Sequence, residues 1–252
     1  MKYYKYHERK YQSLRREGKK RWQVSLIKPF TEFLLFHRLL PKSKVLELGC
    51  GTGDISFSFA RRGFEVTGVD ISPTAIRMAK KRAKEKGLKV KFVVGDVTKL
   101  KGFCDNYYDL VLDGHCLHCL VWQEDRQGFL KNSLRVLKPG GYLVVNTMAM
   151  PPRKYVDKYR NEFILQKGIQ LDKNGRAWIV VGKTQFALPI RYTGFKTALL
   201  KEIRNAGFRI RKWIYQKEPE GPEVCRLIVY GENCENCASC ENCARLEIFK
   251  LL

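Results

Sequence analysis

This sequence predicts a doubly wound α/β sheet, and three observations carry the prediction. At Lys44–Asp54 a short apolar strand (Val45, Leu46, Leu48) breaks into a turn holding Gly49, Gly51 and Gly53, and a helical pattern follows directly. Strand-like and helix-like segments then alternate, with Gly or Pro at their junctions. Aspartates follow or close the next strands at Asp70, Asp96 and Asp113, and a parallel sheet brings all three to the edge where such folds bind ligands.

Composition narrows the function classes. The chain has 252 residues, enough for one full α/β domain with an insertion, and a hydrophobic share of 44% supports a sizeable core. No apolar run approaches the roughly 20 residues of a membrane span. Residues 1–20 are basic and aromatic without the apolar core of a secretory leader, so the expected location is cytoplasmic. Lys and Arg number 48 against 25 Asp and Glu, a formal charge of +23. A field of that sign attracts anions, whether nucleic acid, an acidic membrane face or an anionic small molecule. In a cytoplasmic setting, nine cysteines point to metal or reactive thiols rather than disulfides.

The elements follow in order. Residues 1–23 form a basic, tyrosine-rich arm, read as a lid over a cleft in preference to an RNA-stacking arm. Val24–Leu40 carries apolar residues at helical spacing and is stopped by Pro41. After the glycine turn, Ile55–Arg62 is the first crossover helix, closed by Gly63. Phe64–Asp70 is the second strand, Ser72 and Pro73 open the next helix, and Gly87 stops it. Strands follow at Val90–Val94 and Tyr108–Leu112, a helix at Gln123–Leu137, a turn at Lys138–Gly141 and a strand at Tyr142–Thr147. Alternation lapses over 150–192, read as an inserted cap of one helix and two or three strands, with Asn174-Gly175 as a hairpin signal. A helix near 194–206 precedes strands Phe208–Tyr215 and Cys225–Tyr230. The link between those strands is too short for a crossover, so they must be antiparallel.

Three chemical readings attach to these positions. Glycines at the turn let the backbone approach a ligand closely, and the N–H groups of the next helix favour an anion. Asp70 offers two acceptor oxygens for a pair of ribose hydroxyls, and Asp96 can accept from an adenine amino group. At the chain's end Cys234, Cys237, Cys240 and Cys243 repeat C-x-x-C, a spacing that lets thiolates share zinc or another thiophilic ion.

The turn has the form E-x-G-x-G-x-G from Glu47, which resembles the first motif of the class I S-adenosylmethionine-dependent methyltransferases. The resemblance covers roughly Val24–Gly231. It extends through Val66–Ser72, Val94–Val97, Tyr108–Asp113 and Leu134–Gly141, and it is nearest the small-molecule branch, in which a Leu-His pair (here Leu117-His118) follows the fourth strand. It implies a Rossmann-like seven-stranded sheet, mostly parallel with an antiparallel last strand and helices on both faces. It further implies S-adenosylmethionine as cofactor. Glu47, Gly49, Gly51 and Asp54 would face its methionine part, Asp70 and Ile71 its ribose and adenine, Asp96 and Val97 its adenine, and Asp113 its reactive end.

Around the fourth strand's end, His115, Cys116, His118 and Cys119 are candidate soft ligands for a metal or metalloid. His115 is also a candidate acid or base toward substrate, with His118 as the family histidine. The expected organisation is an arm at 1–23, a methyltransferase domain at 24–231 capped by 150–192, and a Cys-rich tail at 232–252. The expected function is methyl transfer to a small molecule. The rival readings are an RNA or ribosomal-protein methyltransferase, and a thiol-rich metal or metalloid protein or metalloid methyltransferase.

Overall fold

A computed structural model describes residues 5–20, 27–37, 39–150, 169–171, 176–179, 189–217 and 225–234. Its helices are α1 Lys5–Arg16, α2 Lys28–Phe36, α3 Asp54–Ala60, α4 Pro73–Glu85, α5 Gln123–Val136 and α6 Lys196–Asn205. Its strands are β1 Lys44–Leu48, β2 Glu65–Asp70, β3 Lys91–Val94, β4 Tyr108–Gly114, β5 Leu137–Ala149, β6 Ile169–Leu171, β7 Arg176–Ile179, β8 Pro189–Tyr192, β9 Phe208–Lys217 and β10 Cys225–Asn233. A 3₁₀ turn spans Leu117–Cys119.

The main sheet has seven strands in the order β3-β2-β1-β4-β5-β10-β9. β1 pairs in parallel with β2 and β4, as do β2 with β3 and β4 with β5. β10 runs antiparallel to both β5 and β9, so the last strand alone is reversed, as expected. Because β1 is followed on one side by β2 and on the other by β4, strand order reverses there. That switch point opens the ligand crevice of doubly wound sheets. Both faces are covered, which is why β1 and β4 read as nearly continuous apolar runs. Leu46, Leu48, Val111, Leu143 and Val145 pack with α5 and α6, whereas Val45, Leu110, Leu112 and Val144 pack with Phe30 and Phe33 of α2 and Phe59 of α3.

Several boundaries differ from the sequence reading. α2 begins at Lys28 because Pro29 fits only the first turn, and it closes where the His37 N–H reaches Phe33 O at 3.0 Å. β5 begins at Leu137 rather than after the glycines. Its register with β4 shifts between Tyr108 and Leu110, and Gly140 adopts φ 77° within the irregularity. β10 extends to Asn233, whose amide donates to Leu137 O at 3.0 Å. The inserted region contributes an antiparallel sheet, β6-β7-β8. Its predicted helix and the Asn174-Gly175 turn lie outside the described residues, as do Cys237, Cys240 and Cys243. Cys234 is described and half-buried, its thiol 3.8 Å from a Glu232 carboxylate oxygen. Among the described residues, no helix is long and apolar enough to cross a membrane.

Candidate active site

The crevice begins at the turn after β1. Gly49 and Gly51 have φ of 68° and 51°, the left-handed region that costs a residue bearing Cβ. Both are also closely approached. A Cβ on Gly49 would stand 2.6 Å from the Cys116 Cβ, and one on Gly51 would stand 2.5 Å from the Tyr11 hydroxyl. The Cys50 N–H donates to Val69 O at 2.9 Å, tying the turn to β2.

Buried carboxylates ring this turn. Asp70, at the end of β2, accepts from the Gly51 N–H at 2.9 Å and the Ser72 N–H at 2.8 Å, and burial pushes its pKa up to about 6. Glu47 accepts from the Ser56 N–H at 2.8 Å inside the first turn of α3, and burial pushes it up to about 8. Asp113 uses one oxygen to accept from the N–H groups of Cys116 and Leu117, at 2.6 and 3.2 Å. Its other oxygen is buried with no hydrogen-bond partner among the described residues, and burial pushes the group up to about 7. A buried acceptor in that state is uncomfortable unless a donor or cation is supplied.

Asp96 is half-buried, which acts upward on its pKa. Bonds from the Thr98 N–H and hydroxyl, at 2.9 and 2.6 Å, together with Lys99 at 3.5 Å, outweigh that and hold it below the usual range. Asp54 turns away to a bidentate pair with Arg82, at 2.7 and 3.2 Å, and Arg82 also donates to Thr52 O. That pair braces the glycine loop. Ile71 is half-buried and Val97 buried, next in sequence to Asp70 and Asp96.

Helix α1 lies across this edge of the sheet. Glu8 accepts from the hydroxyl of Ser72 and from that of Thr74 at 2.6 Å, where Ser72 also caps α4 by accepting from the Ala75 N–H at 3.0 Å. Tyr11 is half-buried overall, but its phenol end is enclosed near Asp70, Cys50, Cys116 and Cys119. Burial and those neighbours push its pKa well above the usual value.

The far end of the crevice is formed by β4 and β5. Gly114 stands beside Asn146 in the ladder, and the His115 N–H donates to Asn146 O at 3.0 Å. His115 takes φ 74°, which aims its side chain off the strand line. Its Nε2 and both polar atoms of the Asn146 side chain are buried without hydrogen-bond partners among the described residues. The Asn146 amide is near enough to favour the protonated ring slightly, short of hydrogen-bond geometry. Burial first, then Arg226 and Arg191, depress the His115 pKa to about 3.

His118 is buried with Nδ1 3.4 Å from the Thr147 hydroxyl, and burial holds it neutral. The two rings meet edge to face at 5.1 Å. Burial pushes the Cys116 thiol well up and that of Cys119 to about 12. Among the described residues no group of three or more His, Cys, Asp or Glu converges to hold a metal, so His115–Cys119 does not form the metal cluster weighed from the sequence.

A family model described as a methyltransferase domain matches residues 45–141, from β1 into the start of β5. A demethylmenaquinone methyltransferase of Tropheryma whipplei is 38% identical over 118 residues, 46% of this chain and 46% of its own. A ubiquinone biosynthesis O-methyltransferase of Rickettsia felis is 32% identical over 117 residues, again 46% of each. The crystal structure of a SAM-dependent methyltransferase from Methanosarcina mazei superposes with TM-score 0.65 at 24% identity, over 79% of this chain and 96% of that one.

The chain matches the methyltransferase-domain family over residues 45–141 and shares its fold with a SAM-dependent methyltransferase. It spans just under half the length of the curated relatives it matches.

The sheet edge brings Glu47, Gly49, Gly51, Asp70, Asp96 and Asp113 around one crevice, while Asp54 serves the loop through Arg82. One observation fits an adenosyl sulfonium: Asp113 presents a buried oxygen with no hydrogen-bond partner among the described residues. Sequence reasoning missed Glu8, Asn146 and Arg191. The signal for Asn146 was an amide directly after the apolar run Leu143–Val145 of an interior strand. Arg191 carried no signal, because β8 lies in the inserted region.

Proposed function

We propose that this chain transfers a methyl group from S-adenosylmethionine to a small-molecule acceptor. The observation that carries the reading is the set of carboxylates gathered at the sheet's switch point, with one Asp113 oxygen buried and unanswered. Asp70 with Ile71 would hold the ribose, Asp96 with Val97 the adenine, and Glu47, Gly49, Gly51 and Asp113 the methionine end. The cofactor supplies an activated methyl on a cationic sulfur. The protein's own work is to orient and enclose. Burial of Asp113 strengthens its attraction for positive charge, and alignment of two reactants is worth on the order of 7–11 kcal/mol in well-oriented cases.

His115 stands beside the crevice as the candidate group facing the acceptor, and His118, within the 3₁₀ turn, lies with Nδ1 3.4 Å from the Thr147 hydroxyl of β5. The names of the relatives, which concern ubiquinone and demethylmenaquinone, support a small-molecule acceptor over RNA. Calorimetric titration with S-adenosylhomocysteine, followed by labelled methyl transfer into small-molecule and RNA fractions, tests the proposal. Binding with label in small molecules supports it. No binding, or label confined to RNA, overturns it.

A charge of +23 favours the nucleic-acid reading, and steeply salt-dependent RNA binding would support it. The C-x-x-C repeat at Cys234, Cys237, Cys240 and Cys243 supports an accessory thiophilic ion such as zinc. Metal content of the full chain against one ending at residue 234 tests that.

A further inference from the structure

The end of β5 gathers positive charge and unanswered polar atoms that cofactor binding does not explain. Asn146 and Met148 are two residues apart on one strand, so their side chains share a face. Arg226 stands directly opposite Met148 in the β5–β10 ladder and shares that face too. Arg191, from β8, donates to the Met148 sulfur at 3.6 Å, a weak partner for a half-buried guanidinium, and no carboxylate pairs with it among the described residues. His7, His115, His118 and Cys119 all feel its charge. Beside it lie the His115 Nε2 and the Asn146 amide, buried and without hydrogen bonds among the described residues.

Position is maintained from behind. Next to Arg191, the Tyr192 ring is covered by the Arg126 guanidinium at 3.6 Å, and Arg126 is itself held by Glu202 through two bonds of 2.9 Å. A cation fixed next to an imidazole and an amide, each lacking a partner, has the donors a carboxylate needs. A neutral imidazole can donate through Nε2, the amide donates through Nδ2, and guanidinium binds carboxylates in a fork.

We infer that the acceptor is a small organic acid whose carboxylate binds Arg191, with the Asn146 amide and His115 Nε2 completing its hydrogen bonds. Calling this ligand the acceptor rests on the methyltransferase reading; the carboxylate site itself does not. The site accounts for Arg191, whose hydrogen-bond partner is the Met148 sulfur, and for the buried polar atoms of His115 and Asn146. It makes Arg191 a specificity residue, contributed by the inserted region rather than by the common core.

The test uses the full chain loaded with S-adenosylhomocysteine and follows histidine ring resonances by NMR. The probes are benzoate and acetate, with benzamide and acetamide as neutral isosteres. Both carboxylates should shift the His115 ring saturably, and the amides should not. Arg191→Gln should weaken the carboxylate effect about tenfold or more, as expected for a lost charge-assisted bond, and Arg191→Lys should recover part of it. Unchanged S-adenosylhomocysteine affinity would show that the variants are folded. Equal response to acid and amide, no response to either, or a response unaffected by Arg191→Gln overturns the inference. Where the variant does not fold, the acid–amide comparison on the native chain decides alone. Failure of S-adenosylhomocysteine to bind while carboxylates still shift His115 would sink the methyltransferase reading and leave the site standing.

Discussion

The Tyr11 hydroxyl and the Gly51 backbone meet so closely that a methyl group on Gly51 would stand 2.5 Å from the phenol oxygen. This contact joins α1 to the turn most exposed to a ligand. A ligand that approaches Gly51 must therefore displace Tyr11 or accept its hydrogen bond, and α1 is held there by Glu8 on Ser72 and Thr74.

Glu8→Ala should loosen α1 and raise the association rate of S-adenosylhomocysteine, measured by stopped-flow fluorescence. Ser72 would still cap α4 through the Ala75 N–H, so the fold should persist. An association rate equal to that of the native chain would show that α1 does not gate entry.

Gly51→Ala forces Cβ into a left-handed conformation, at about 1–2 kcal/mol, and against the Tyr11 oxygen. Denaturant unfolding should record that loss, and calorimetry should record loss of S-adenosylhomocysteine binding. Tyr11→Phe in the same background should recover part of the stability but not the binding.

Stability should fall as pH rises from 6.5 to 8. Glu47 is raised from 4.5 to about 8 in the folded chain, so the folded state keeps a proton that the unfolded state releases. Its contribution is complete below 4.5 and is lost as pH climbs through 8; Asp113, raised to about 7, adds to the lower part of this window. The half-buried imidazoles of His115 and His7, depressed to about 3 and 4, act the other way, but only below 6.5. Glu47→Gln should flatten the slope of the thermal midpoint between pH 6.5 and 8. A slope unchanged by the substitution would remove Glu47 as its source.

Asp113→Asn keeps an acceptor oxygen for the Cys116 and Leu117 N–H groups and removes the buried charge. The thermal midpoint at pH 8 should hold or rise, while affinity for S-adenosylhomocysteine drops about tenfold or more, the scale of one lost charge-assisted bond. Undiminished affinity would place the ligand's amino-acid end elsewhere.

Arg126→Ala removes a buried cation that donates to Glu202, Leu120 O and Val121 O and covers Tyr192. Glu202 would be left without its partner, and a loss of about 3–5 kcal/mol is expected in denaturant unfolding.

The sheet and its crevice were legible because local rules act there without competition. Glycines were needed where the turn is left-handed, apolar runs marked strands buried on both faces, and carboxylates fell at strand ends. Legibility failed where long-range contacts decide. Nothing in the local pattern at Asp54 reveals that Arg82, a helix away, will claim both its oxygens. Leu137 fits a helical period but joins β5 through its partnership with Tyr108. Arg191 acquires meaning only through Met148, Asn146 and His115, which lie far from it in sequence.

The placement of β10 between β5 and β9 orders events during synthesis. Until residues 225–233 leave the ribosome, the outer edge of β5 has no hydrogen-bonding partner and β9 has no sheet to join. A nascent chain halted before that point would present a bare, apolar strand edge, the kind of surface on which chains stick to one another and which chaperones cover.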